Sequence, residues 1–167
     1  MKLVQSALAR WPDYARLEQA VEGGAVPGAG TGLSGVHKCC VIASLCKKTG
    51  RRALVLAADE AEAQRFCEDL AALGLRPVSY PLRDFNFRHT AGTSHEYERL
   101  RLEALSKLED GQCDCIVACM DAALQYTLGP EELERKLFTL RPGDQLEIAG
   151  LLEALVKCGY TREDQIE

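Results

Sequence analysis

The sequence has no basic excess. Lys and Arg number 20 against 25 Asp and Glu, a net charge of −5, and the isoelectric point is near 5.3. That balance excludes autonomous, non-specific nucleic-acid binding, which needs a basic face, though not a place inside a larger DNA-handling assembly. No apolar run is long enough to span a bilayer, so no membrane partner is expected. The opening MKLVQSALARW lacks the charged-then-apolar order of a secretory leader and reads as a helix. Internal repeats and low-complexity stretches are missing. So is any C-x-x-C pair, and the three histidines are scattered, so the paired ligands of a structural zinc site are not there.

What is present is an ordinary globular composition, 47% hydrophobic and 27% charged over 167 residues, enough for one domain or one domain plus part of another. Eight cysteines are many for this length. Without a leader they fit a cytoplasmic chain with reduced thiols. Cys113 and Cys115 are expected on one face of a strand, as small buried hydrophobes rather than metal ligands.

Signals along the chain alternate between strand and helix. Two short helices fill residues 1–22 and break at Trp11-Pro12-Asp13. A strand is expected over Ala25–Thr31, weakened by Pro27, Gly28 and Gly30. A helix follows over Val36–Lys48, stopped by Gly50. Ala53–Ala58 is a continuous apolar run, which predicts a strand covered on both faces. Asp59 caps a helix carrying Ala63, Phe66, Leu70 and Leu73 at helical spacing. A short strand at 77–80, an irregular stretch over 81–92, and a helix capped by Thr93 or Ser94 and running to Leu108 come next. A buried strand spans Cys115–Cys119. Pro130 opens a short helix, Leu137–Leu140 reads as a strand, Pro142-Gly143-Asp144 as a turn, and Glu147–Lys157 as an amphipathic helix. This pattern predicts an α/β fold, a parallel sheet with helices on both faces.

The chain is organised around Gly28–Cys46, a glycine-rich loop running into a helix, where backbone N–H groups and a helix N-terminus can meet a phosphate. Three motifs compete there and nearby. Gly30-Thr31-Gly32-Leu33-Ser34-Gly35 fits the dinucleotide pattern G-x-G-x-x-G, with Asp59 near the place of a ribose-binding acid. Gly32-Leu33-Ser34-Gly35-Val36-His37-Lys38-Cys39 is a degenerate form of G-x-x-x-x-G-K-[ST]. It keeps Gly32 and Lys38. His37 replaces the second glycine and brings a Cβ towards the phosphates. Cys39 replaces the hydroxyl, and a thiol is a poor ligand for Mg²⁺. Leu54–Glu60 could be an acidic metal box, but Asp59 is better read as a helix cap. His89, His95 and Glu96 read as solvated surface.

Arg52–Leu70 (RALVLAADEAEAQRFCEDL) resembles the strand–helix block that follows the phosphate loop in superfamily-two helicases. Cys115–Glu167, ending in CGYTREDQIE, is similar to UvrB-type excision-repair helicases. It resembles still more the UvrB-like N-terminal module of bacterial transcription-repair coupling factors (Mfd). The resemblance covers residues 24–167. It implies a helicase-like nucleotide-hydrolase lobe with a degenerate phosphate loop over residues 1–139, and the truncated beginning of an inserted second domain over 140–167. His37 and Cys39 favour the coupling-factor module over the helicase. Pro81–Thr93 is too short for the DNA-clamping hairpin of the helicase.

The resemblance implies a fragment that is not itself an enzyme and holds no cofactor. No residue is catalytic, and Gly32, Gly35 and Lys38 are vestiges of a nucleotide site. The implied partner is the UvrA repair protein, through a surface mostly missing from these residues. RNA polymerase and DNA would be engaged through other domains, with ATP and Mg in the motor of the full-length translocase. An ATP-dependent UvrB-type helicase fragment and a dinucleotide-binding domain are the alternatives.

Overall fold

A computed structural model describes residues 2–24, 27–83, 96–137 and 140–161. The chain falls into two units, 1–125 and 126–167. In the first, α1 (Lys2–Leu8) and α2 (Pro12–Glu22) precede a loop, and α3 (Gly35–Thr49) follows it. Pro12 sits in the first turn of α2, where its missing N–H is no loss. Gly50, at φ +67°, ends α3 and returns its N–H to the Cys46 carbonyl at 2.9 Å, a conformation that a side chain would strain. Strand β1 (Ala53–Ala57) leads to α4 (Glu60–Ala72), β2 (Pro77–Tyr80), α5 (Glu96–Glu109), β3 (Cys115–Cys119) and the single turn α6 (Met120–Ala123).

The sheet has three parallel strands in the order β1-β3-β2, with Val55 opposite Val117 and Val78 opposite Ile116. As the central strand, β3 is buried at every residue. From Cys115 to Ala118 its side chains alternate between two cores, as the two-residue period of a strand requires. Cys115 and Val117 pack with Cys39 and Ala43 of α3 and with Ala63, Phe66 and Leu70 of α4. Ile116 and Ala118 pack with Tyr80, with Ala104 of α5 and with Ala122 of α6. The expected α/β architecture, helices on both faces of a parallel sheet, is present on this scale.

Several local expectations fail. β1 is not covered on both faces, since Leu54 and Leu56 are 64% and 46% exposed. The core built on α5 reaches β2 and β3 only. Residues 27–31 join no strand ladder. Cys113 and Cys115 are both buried but pack into opposite cores, because β3 begins only at Cys115. The expected strand at 137–140 is not seen at Leu137 or Leu140, and residues between them lie outside those described. The clamp region beyond Arg83, the Thr93 or Ser94 cap, His89, His95 and residues 162–167 also lie outside the described residues.

The second unit contains α7 (Pro130–Lys136) and α8 (Ile148–Lys157). Gly143, at φ +97°, makes the turn between them, closed by Asp144 N–H to the Arg141 carbonyl at 3.1 Å. Helix α8 has no buried residue, and Ile148 and Val156 are 74% and 60% exposed.

Candidate phosphate-loop site

The loop over residues 27–34 and the first turn of α3 are solvent-exposed up to Lys38 except for the half-buried Leu33, while Cys39 is buried. Gly32 adopts φ +78°, so the loop turns where only glycine does so without strain. At Gly35 neither space nor dihedral demands glycine: a Cβ there would meet nothing within 4 Å, and φ is not positive. Ser34 caps α3 with its backbone, accepting from Lys38 N–H at 2.9 Å, but its side chain makes no cap bond. Its hydroxyl instead lies 3.0 Å from His37 Nδ1. Both residues of that pair are exposed at the start of α3.

Lys38 and Cys39 diverge. The Lys38 ammonium lies 6.0 Å from the Phe66 ring centroid, leaning over α4, and among the described residues it forms no ion pair. Cys39 points the other way, into the core, with no exposed surface. Its thiol donates weakly to Asp69 Oδ2 at 3.9 Å. Burial, reinforced by the Asp69 charge, pushes the Cys39 thiol up to about 11. The position that would carry a metal-ligating hydroxyl in a working phosphate loop is therefore an uncharged thiol packed among Ala43, Val55 and Leu70.

The acidic residues after β1 are engaged in structure. Asp59 Oδ1 accepts from Glu62 N–H at 2.7 Å, and Glu62 Oε2 accepts from Ala58 N–H at 2.8 Å, a reciprocal cap on α4. Glu60 Oε1 accepts from Leu82 N–H and, at 3.6 Å, from the Cys119 thiol. This ties the C-terminal ends of all three strands together. Asp59 is thus a cap, as its spacing predicts.

One polar feature at the strand ends has no clear sequence signal. Arg101 is 5% exposed and stacks on Tyr80 with its guanidinium 3.9 Å from the ring centroid. It donates to the Pro81 carbonyl at 2.9 Å and to the Ala122 carbonyl at 3.2 Å. A trace was available, since Arg101 lies three residues before Ala104 and seven before Leu108, on the inward stripe of α5.

The fold and this loop define a class first: a small parallel α/β lobe with a glycine-rich turn feeding a helix beside its first strand. No family model matches the chain. Curated relatives are more specific. Over 149 residues the chain is 30% identical to UvrABC system protein B of Chlorobium limicola, covering 80% of the chain and 22% of the relative. It is 26% identical over 138 residues to the transcription-repair-coupling factor of Bacillus subtilis, covering 81% of the chain and 12% of that protein. A Synechococcus elongatus UvrABC system protein B is 28% identical over 166 residues, 90% of the chain and 25% of the relative. The chain's homologues therefore include UvrB proteins and transcription-repair-coupling factors, and it spans a quarter or less of the length of these relatives. No helix among the described residues is long and apolar enough to cross a membrane.

Proposed function

We propose that this chain is a UvrB-like module of a DNA-repair protein, one that has kept the shape of a helicase lobe without nucleotide hydrolysis and serves to recruit the excision machinery. In this reading its partner is UvrA, and polymerase displacement and DNA translocation belong to other parts of a coupling factor. The observation that carries it is the buried Cys39. A hydrolytic phosphate loop needs an oxygen ligand for Mg²⁺ at that place, facing the nucleotide. Here the side chain is sulfur, uncharged, and turned into the core. His37, paired with Ser34, adds a second obstacle by bringing a side chain to the place of the motif's second glycine.

The test is calorimetric titration of the chain with Mg-ATP, with Lys38→Ala beside it. No heat up to millimolar nucleotide, for either protein, is the expected result. Micromolar binding that Lys38→Ala abolishes would overturn the reading. It would favour an ATP-dependent UvrB-type helicase, for which the retained Gly32 and Lys38 speak.

A further inference from the structure

The carboxyl ends of the strands carry a cleft of about 750 Å³ that shares no residue with the glycine loop. Its walls are Glu60 at the start of α4, Leu82 beyond β2, Tyr97 of α5, and Asp121 and Leu124 at α6. Crevices outside the carboxyl ends of strands are where open α/β sheets bind ligands. The apolar and aromatic walls are wet, Leu124 being 78% and Tyr97 45% exposed. The two acidic walls have acceptor capacity to spare. Among the described residues neither Glu60 nor Asp121 forms an ion pair. Glu60 uses Oε1 on the Leu82 N–H and the Cys119 thiol, which leaves Oε2 open. Arg83, the lining cation, is already paired with Glu98 at 3.2 Å. Counting also the buried Arg101, which donates to the neighbouring Pro81 and Ala122 carbonyls, three carboxylates stand against two guanidiniums. The cleft therefore keeps a net negative charge, which turns away phosphates and nucleic acid and attracts a cation. A metal ion is not the match, since among the described residues no three His, Cys, Asp or Glu side chains are grouped to hold one.

We propose that this cleft binds an arginine side chain presented by a short apolar segment of a partner protein. The walls are of three kinds, and a guanidinium on its aliphatic stem answers all of them. It forks onto carboxylates, it stacks on an aromatic face, and its methylenes cover apolar surface. A lysine ammonium is more strongly hydrated and has no planar face to lay on Tyr97. The chain shows the same mode close by, where Arg101 stacks on Tyr80 at 3.9 Å and divides its N–H groups between two oxygens. The cleft exceeds the volume of one side chain, so residues flanking the arginine enter with it, and Leu82 and Leu124 make apolar flanks the better fit. The inference rests on this cleft alone and is independent of whether the glycine loop binds nucleotide.

Amide shifts of the isotope-labelled chain, titrated with acetyl-Leu-Arg-Leu-amide, test it. Saturable shifts should appear at Leu82, Arg83 and residues 121–125 and in the first turns of α4 and α5. Citrulline in place of arginine keeps the shape without the charge and should weaken binding ~10-fold or more. Lysine should weaken it ~3-fold or more. Asp121→Asn and Tyr97→Leu alter exposed side chains, so the melting temperature should hold while affinity for the arginine peptide falls at least ~3-fold in each. No saturation by ~10 mM peptide, equal binding of the citrulline or lysine peptide, shifts that leave the cleft out, or variants that bind like the parent would overturn the proposal. Shifts at the cleft on adding short duplex DNA would overturn it too, by showing that the surface takes a polyanion.

Discussion

At Gly32 and Gly35 the same residue type answers to different demands. Gly32 holds φ +78°, whereas Gly35 opens α3 with ordinary helical backbone and open space at its Cβ. Gly32→Ala should cost ~1–2 kcal/mol through left-handed strain. Gly35→Ala should be neutral or stabilising by up to ~1 kcal/mol, since it removes backbone freedom from the unfolded chain. Urea unfolding of the two variants measures the difference, and equal effects would contradict the loop geometry. Cys39 gives a second residue-scale expectation. Its buried, uncharged thiol should resist iodoacetamide at pH 8 in the folded chain, while half-buried Cys40 and Cys158 react first. Peptide mapping of the alkylated protein reads the order directly. The spacing of residues 32–39 exposes the altered motif, yet says nothing of where Cys39 points. Its direction is set by the rotation of α3 against β1 and β3, a tertiary property.

At the scale of elements, the starts of β2 and β3 are joined by one ion pair. Arg76 donates through Nη2 to Asp114 Oδ1 at 2.7 Å and through Nε to Oδ2 at 3.2 Å, while its backbone N–H reaches Oδ2 at 2.8 Å. The hydrogen bonds and charge of Arg76 hold the Asp114 carboxyl below the usual carboxylate range. A carboxyl whose folded value is depressed adds stability above its unfolded value, about 3.9, and loses it as pH falls through the folded value. Asp114→Asn should therefore be less stable than the parent near pH 7, with the gap closing below about pH 4. Because the Arg76 and Asp114 side chains are 59% and 31% exposed, the gap should stay within ~1 kcal/mol. Thermal melts across pH 2–7 would show it, and a gap constant over that range would refute it.

Elements with strong local signals were readable from sequence for a physical reason. Asp59 and Glu62 stand at capping spacing, Gly50 and Gly74 follow helices, and CIVAC is apolar throughout because it lies in the centre of the sheet. What stayed illegible depends on neighbours. ALVLA looks the same whether one face or two are covered, and only the strand order reveals that Leu54 and Leu56 are wet. A buried arginine likewise looks like any helix cation until Tyr80 and two carbonyls surround it.

For the molecule as a whole, every strand and both cores among the described residues lie within the first 125 residues. A chain ending at Gln125 should keep the far-ultraviolet spectrum of the sheet unit and melt cooperatively within a few degrees of the parent. Loss of the transition would mean that the second unit is needed for the first to fold.

The end of that unit is held by a side chain acting as a peptide. Gln125 Oε1 accepts from Arg83 N–H at 2.9 Å, and its Nε2 donates to the Arg83 carbonyl at 3.0 Å. One amide thus supplies both halves of a ladder rung three residues past Tyr80, beyond the end of β2. The pairing has a polarity that charge would spoil. With glutamate at 125 the N–H would still be served, but the carbonyl would face a carboxylate oxygen, two acceptors with no proton between them. Acidification would return the proton and, with it, the rung.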